Sequence, residues 1–329
     1  MGCPAGIGPE IILKYFSSLG SDHSSDVRPV ILGDPTVLEM SAKNLALAQP
    51  NLQLWQPGSP LPEQGIPIVK LSSLSQQDIV WGSPNLSTAK AMAAYIEHGV
   101  KLINEKLIDG ITTCPISKAS LNSAGYNFPG HTEMLGSLTC SDGYVMMMAG
   151  TKLRITLVTI HYALKDVPEK ITEAGVLELI HTTHQSLTTD FGIKNPKIAV
   201  AALNPHAGED KLFGVEESNT IVPAINRARK QNIYASGPYP PDTVFNKAVA
   251  GDFDAVVCMY HDQGLIPFKL LHFEDGVNVT LGLPIVRTSV DHGTAYDIAG
   301  KGVASYLSLQ EAVKLAGTIC NNRNSVTNQ

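Results

Sequence analysis

Apolar runs of strand length alternate with longer stretches of helical period along the whole of this 329-residue chain, an order that few folds accommodate. The strand-like runs are Arg28–Leu32, Gly110–Cys114, Gly143–Met148, Arg154–His161, Lys197–Leu203 and Asp254–Tyr260. Between them, Thr88–Glu105, Thr172–Thr188, Glu217–Lys230 and Leu309–Thr318 read as helices. Several of the strands are apolar at consecutive rather than alternate positions, as expected where both faces of a parallel strand are covered. The pattern predicts an α/β layered fold with a largely parallel sheet, and the length suits two domains or one large unit. The Pro-, Gln- and Gly-rich stretch Gln49–Gly65 reads as a surface excursion. There is no internal repeat.

The chain opens on a glycine-rich loop, Met1–Gly8, followed by Pro9, Glu10 and an apolar helix through Phe16. Proline suits a first helical turn, and a glutamate there complements the helix dipole. Such loops ordinarily follow a strand, so a first strand is expected to be missing here. A lone Gly6-Ile-Gly8 lacks the third glycine of a dinucleotide fingerprint, and there is no Walker loop or GxSxG elbow.

Composition closes off several classes of function. Hydrophobic residues make up 43% and charged residues 16%, enough for a buried core. The formal charge of −6 argues against a nucleic-acid or anionic-membrane surface. No apolar run is long enough for a membrane span and no signal peptide is visible, so a cytoplasmic protein is expected. The five cysteines are scattered, with no CxxC pair, which favours neither a disulfide framework nor a cysteine zinc site.

In open α/β sheets, ligands bind beyond the carboxyl ends of the strands. Three of the ten histidines stand there: His161 closes one apolar run, His206 follows another through Asn204-Pro205, and His261 closes a third. One histidine in such a place is more often a hydrogen-bonded structural residue. Three in equivalent places could converge as an open site for a borderline divalent metal. Asp262, Glu209 and Asp242 are carboxylates available to orient such ligands. His181 and His184 form a rival pair on a helix, without a third partner nearby, and read better as a solvated face; His23, His98 and His272 fall in no pattern. Gly130-His131-Thr132-Glu133 is a polar turn suited to a small ligand, and Lys269, Asn278 and Arg287 together could hold a phosphate or carboxylate.

Those segments resemble the 4-hydroxythreonine-4-phosphate dehydrogenase family of pyridoxal phosphate biosynthesis. The resemblance rests on GCPAGIGPE (2–10), PGHTEML (129–135), LNPHAGE with FGVEE (203–217), GPYPPDT (237–243), MYHDQGLIPFK (259–269) and VNVTLGLPIVRTSVDHGTAYDIAG (277–300). It implies a fold like that of the isocitrate and isopropylmalate dehydrogenases, with two α/β/α layered domains and a cleft. The domains expected are 1–128 with 275–329 on the NAD side, and 129–274 on the metal and dimer side. It also implies one divalent metal per subunit (zinc, magnesium or cobalt) on His161, His206 and His261, in a homodimer whose active sites are shared between subunits. His131, Thr132, Lys269, Asn278 and Arg287 would contact a small phosphorylated hydroxy acid. By a longer step, His292, Gly293, Thr294, Ala295 and Asp297 resemble the loop placed around the adenosine of NAD or NADP.

The activity implied is oxidation of 4-phosphooxy-L-threonine at C3, followed by decarboxylation to 3-amino-2-oxopropyl phosphate. Asp242, Asp262 and Lys269 are the candidates for moving the proton. Two departures stand out. Cys3 occupies a position where family members usually carry an acidic residue, and Ala163 two residues after His161 is similar to the paralogues acting on 4-phospho-D-threonate or 4-phospho-D-erythronate. A metal-dependent hydrolase and a non-catalytic metal or phosphate binder are the competing classes, and neither would reduce NAD.

Overall fold

The computed structural model describes residues 1–19, 27–128 and 130–327, so His23 and Pro129 lie outside the described residues. The chain divides into two compact units, Met1–Asp142 with Leu283–Gly317, and Gly143–Gly282 with Thr318–Gln329. These junctions fall later in the chain than those expected at 128/129 and 274/275, and they leave 131–138 with the first unit.

In the first unit, β1 (Ile31–Gly33), β2 (Leu52–Leu54) and β3 (Ile66–Lys70) form a parallel sheet in the order β1-β3-β2. Strand β2 lies inside Gln49–Gly65, so that stretch is not a bare excursion. Its residues are mostly exposed, and an exposed edge strand has little apolar pattern to betray it. A second parallel pair, β4 (Gly110–Thr113) and β11 (Val286–Val290), sets Arg287 beside Ile111 and Thr288 beside Thr112. Around these strands lie α1 (Gly8–Leu19), α2 (Pro35–Asn44), α3 (Leu86–Asn104), α4 (Lys118–Ser123) and α5 (His131–Leu138). The core they enclose includes Ile11, Leu38, Ile68, Tyr95 and Val313.

Helix starts follow local chemistry. Asp34 accepts from the Thr36 amide and is followed by Pro35, while Asn85 and Thr88 form a reciprocal capping box on α3. Glu10 does more than complement a dipole. Its buried carboxylate accepts from Lys14 Nζ and from the amides of Gly302 and Ala304, tying α1 to the loop that follows β11.

The second unit is one sheet in the order β10-β5-β6-β9-β7-β8. Its strands are β5 (Val145–Ala149), β6 (Arg154–Leu157), β7 (Ile198–Ala201), β8 (Ala235–Tyr239), β9 (Ala255–Cys258) and β10 (Val277–Leu281). The β10-β5-β6 side is antiparallel, whereas β6, β9, β7 and β8 run parallel. Helices α6 (Val167–Lys170), α7 (Glu173–Thr189), α8 (Val222–Lys230), α9 (Val244–Val249) and α10 (His261–Leu271) connect or cover them. Gly264 lets α10 sit close to the sheet: a Cβ there would stand 2.7 Å from Ile155 and 3.1 Å from the Cys258 sulfur. The last helix, α11 (Leu307–Thr327), begins in the first unit, and its residues from Thr318 belong to the second. Among the described residues no helix is long and apolar enough to cross a membrane.

Candidate active site

Four parallel strands that are neighbours in the second unit each deliver one expected residue beyond their carboxyl ends. Across the sheet, the order β6, β9, β7, β8 translates into His161, His261, His206, Asp242. Strands β6 and β9 are adjacent, and their imidazoles come together with ring centres 6.1 Å apart. A divalent ion about 2.1 Å from one nitrogen of each ring would hold the centres roughly 5–6.5 Å apart, so the pair fits two ligands of one metal. His261 Nδ1 lies 2.7 Å from Asp262 Oδ1, which leaves Nε2 to face a ligand, the arrangement in which a carboxylate orients a metal-binding histidine. Among the described residues, however, no three His, Cys, Asp or Glu side chains gather as a ligand group. His206 does not complete the pair within one chain.

Buried polar side chains fix the loops that bear the histidines. Thr159 Oγ1 donates to the Met259 carbonyl, linking the ends of β6 and β9. Gln263 accepts from the Met259 amide and donates to the Ala202 carbonyl, linking β9 to β7. The His206 loop is the most unusual. Residues 206–211 all have positive φ, and five of the six are not glycine. At about 1–2 kcal/mol for each such residue, the turn holds on the order of 5–10 kcal/mol of backbone strain that its surroundings must offset. Glu217 supplies part of that: Oε1 accepts from the Leu203 and Asn204 amides and Oε2 from Asn204 Nδ2.

Of the carboxylates named from sequence, only Asp262 is seen orienting a histidine. Glu209 is exposed within the left-handed turn, and Asp242 is exposed in the turn between β8 and α9. Sequence reasoning passed over Glu217. Its signal was a carboxylate in the apolar stripe it shares with Ile221, Ala224, Ile225 and Ala228. Lys269 lies on α10 with Nζ 6.0 Å from the Phe273 ring centre, and Asn278 lies on β10 opposite Met148. Large exposed apolar side chains follow the histidines in sequence: Tyr162 and Leu164, then Leu212 and Phe213, and, at the far end of α10, Leu270 and Phe273.

In the first unit, α5 starts at His131 with Gly130 as its cap and no side chain covering the free amides, a natural seat for an anion. His131 Nε2 is wholly enclosed and, among the described residues, has no hydrogen-bond partner. Such an orphan atom fits a ligand oxygen. Arg287 is buried and donates from Nη2 to Thr113 Oγ1. Burial pushes its guanidinium down to about 10, against the opposing pull of Glu133. Lys118, which sequence reasoning missed, reaches the same turn: its Cε and Glu133 Oε2 lie 3.5 and 3.2 Å from where a Cβ on Gly130 would stand.

Burial, and then Arg287, hold His131 well below the usual histidine range. The folded state therefore keeps this ring neutral while the unfolded chain protonates it below about pH 6.5. Its contribution to stability is present above that pH and is lost as pH falls. In urea melts from pH 7.5 to 5.0, the wild type should lose stability relative to His131→Gln by up to about 1.4 kcal/mol per pH unit. Parallel curves for the two proteins would show that His131 titrates normally.

The loop after β11 packs on the glycine-rich N-terminal loop, with the Ile7 amide donating to the Thr294 carbonyl. A Cβ on Gly6 would lie 3.1 Å from that carbonyl, whereas one on Gly293 would meet open space. Gly293 thus leaves its backbone open to close approach by a neighbouring group. Cys3 faces inward and accepts from the Tyr296 hydroxyl.

Comparison with known proteins gives a consistent result. The family model described as pyridoxal phosphate biosynthetic protein PdxA matches residues 25–316. A protein of Desulfosudis oleivorans named 4-hydroxythreonine-4-phosphate dehydrogenase is 50% identical, over 96% of this chain and 93% of its own. A protein of Oceanobacillus iheyensis, provisionally named D-threonate 4-phosphate dehydrogenase, is 42% identical over 96% of this chain and 95% of its own. Among solved structures, the 4-hydroxythreonine-4-phosphate dehydrogenase of Klebsiella pneumoniae superposes with a TM-score of 0.88 at 37% identity, covering 97% of this chain and 96% of that one.

Proposed function

The chain belongs to the pyridoxal phosphate biosynthetic protein PdxA family, and on that premise we propose that it oxidises 4-phosphooxy-L-threonine with NAD or NADP and a divalent metal. The observation that carries the metal part is the His161–His261 pair, with Asp262 behind it. When bound, the metal would polarise the substrate hydroxyl and the nicotinamide would accept a hydride from the same carbon. His161 and His261 hold the metal from one protomer and the partner subunit's His206 completes the set. The exposed Leu164, Leu212, Leu270 and Phe273 support an assembly, because large apolar side chains left on the surface of this unit mark a face suited to being covered.

The rest of the chemistry falls to side chains and backbone of this chain. In the first unit the α5 amides, His131, Thr132 and Arg287 can seat an anionic group of the substrate, and in the second unit Lys269 and Asn278 are suited to an anionic group as well. Asp242, Asp262 and Lys269 are the groups that could take the hydroxyl proton, Asp262 while also orienting His261. Loss of that proton and of hydride leaves a β-keto acid, which releases carbon dioxide to give 3-amino-2-oxopropyl phosphate. Residues 292–297 hold the adenosine side of the cofactor. A second substrate, 4-phospho-D-threonate, is favoured by one specific observation, the 42% identical relative provisionally named for it.

The deciding experiment compares both substrates. Purified protein with zinc, magnesium or cobalt should reduce NAD or NADP with 4-phosphooxy-L-threonine, followed at the nicotinamide absorbance. A higher kcat/KM with 4-phospho-D-threonate would transfer the assignment to the second reading. No reduction with either would refute both.

A further inference from the structure

We propose that Glu217 is a positioning residue for His206, its buried carboxylate holding the left-handed 206–211 turn in the conformation that presents the imidazole to a metal. Glu217 is only 4% exposed and faces hydrogen-bond donors rather than a cation. All three of its hydrogen bonds go to Leu203 and Asn204, where the chain leaves β7 for the turn. Enclosing a carboxylate without a cation is costly, and a neutral side chain could have satisfied two amides. The charge is explained if the turn is strained enough to need the stronger, charge-assisted bonds.

Two further features point the same way. A Cβ on Gly208 would stand 2.8 Å from Glu217 Oε2, so the turn packs directly on the carboxylate. Glu217 also begins a π-helical turn (Glu217–Ile221) leading into α8, a local widening of the helix that is frequent at functional sites. His206 has φ 53° and ψ 28°, a backbone state that L-residues leave unless held. Glu217 lies eleven residues after the ligand it serves and is not among the residues assigned to the substrate. Its effect passes through Leu203, Asn204 and Gly208.

This inference rests on His206 being a metal ligand, and the test separates the two ideas. Zinc affinity of the full-length protein is measured by equilibrium dialysis for wild type, Glu217→Ala, Glu217→Gln and His206→Ala. Circular dichroism checks the fold, and hydrogen exchange reads the amides of 203–211. Removing an orienting partner typically weakens metal binding by about 10–100-fold, and Glu217→Ala should fall in that range. Glu217→Gln keeps an acceptor for the two amides but turns an amide toward Asn204, so it should fall near the tenfold end. In both variants exchange at Leu203 and Asn204 should quicken and kcat should fall, with KM for the phosphorylated substrate little changed. Should Glu217→Ala fail to fold, the Gln variant carries the decision. Zinc affinity within about threefold of wild type in a folded Glu217 variant, while His206→Ala loses zinc, would overturn the positioning role alone. Unchanged zinc affinity in His206→Ala would instead remove the metal reading on which it stands.

Discussion

Mixing two inactive variants, His206→Ala and His261→Ala, is expected to restore about a quarter of wild-type turnover. Each variant alone should lose both metal and activity while keeping its fold, because each site lacks one of its three imidazoles. If the partner subunit's His206 completes the pair formed by His161 and His261, a mixed dimer carries one site with both defects and one with neither. Random exchange makes half of all dimers mixed, and half of their sites intact. The structural basis is the 6.1 Å pairing of His161 with His261 and the lack of a third ligand beside it among the described residues. The measurement is NAD reduction after the two variants are exchanged through mild denaturant and refolded together. Turnover no higher than in the separate variants would mean that each site draws all its ligands from one chain. The same mixture should regain bound zinc in the same proportion, which guards against a trivial loss of activity in handling.

Arg287→Met is expected to cost on the order of 10²–10³-fold in kcat/KM, or about 3–4 kcal/mol, while leaving the protein as stable as before or more so. The two halves of that prediction have one cause. A guanidinium held down to about 10 is one whose charged form the fold disfavours, and the difference from its ordinary value corresponds to about 3 kcal/mol. Because the folded pKa is depressed, that cost is present at every pH below about 10 and is relieved only above it. Methionine fills similar space without it, although Thr113 loses its donor and Glu133 a nearby countercharge. Thermal melts should therefore show a midpoint unchanged or raised by a few degrees, with the loss confined to substrate binding. A lowered midpoint together with normal kcat/KM would identify Arg287 as a structural residue.

How far the sequence foretold the molecule depended on which physical signal a segment carried. Two long amphipathic helices were legible to within two residues at each end, Thr88–Glu105 as Leu86–Asn104 and Thr172–Thr188 as Glu173–Thr189, whereas Leu309–Thr318 runs on to Thr327. The six strands read from sequence were found but came out shorter, while the buried strands β3, β10 and β11 were not read. Arg154–His161 stops as a strand at Leu157, because the Val158 and Thr159 amides make the last bonds to β9 before the chain turns out. That early stop is what frees His161 to leave the sheet. Strand β2 was missed because it is exposed, and β8, with its glycine and proline, carries no apolar run. Candidate ligands at strand ends were legible because parallel topology puts every such end on one side of the sheet. The side chains that fix those loops were not, since Gln263, Thr159 and Glu217 act by bonding to backbone that is near only after folding.

For L-residues the 206–211 turn runs in the unfavoured hand, and glycine, the one encoded residue indifferent to hand, is used only at position 208. At Ala207, Glu209, Asp210 and Lys211 chirality itself, rather than side-chain chemistry, sets the energetic cost. A chain assembled by chemical ligation with D-alanine at 207 would enter the same backbone path from its preferred side. Natural variation can approach that only through glycine, which trades strain in the folded turn for extra freedom in the unfolded chain. The firmness with which His206 can be held is thus bounded by the single handedness of the genetic alphabet.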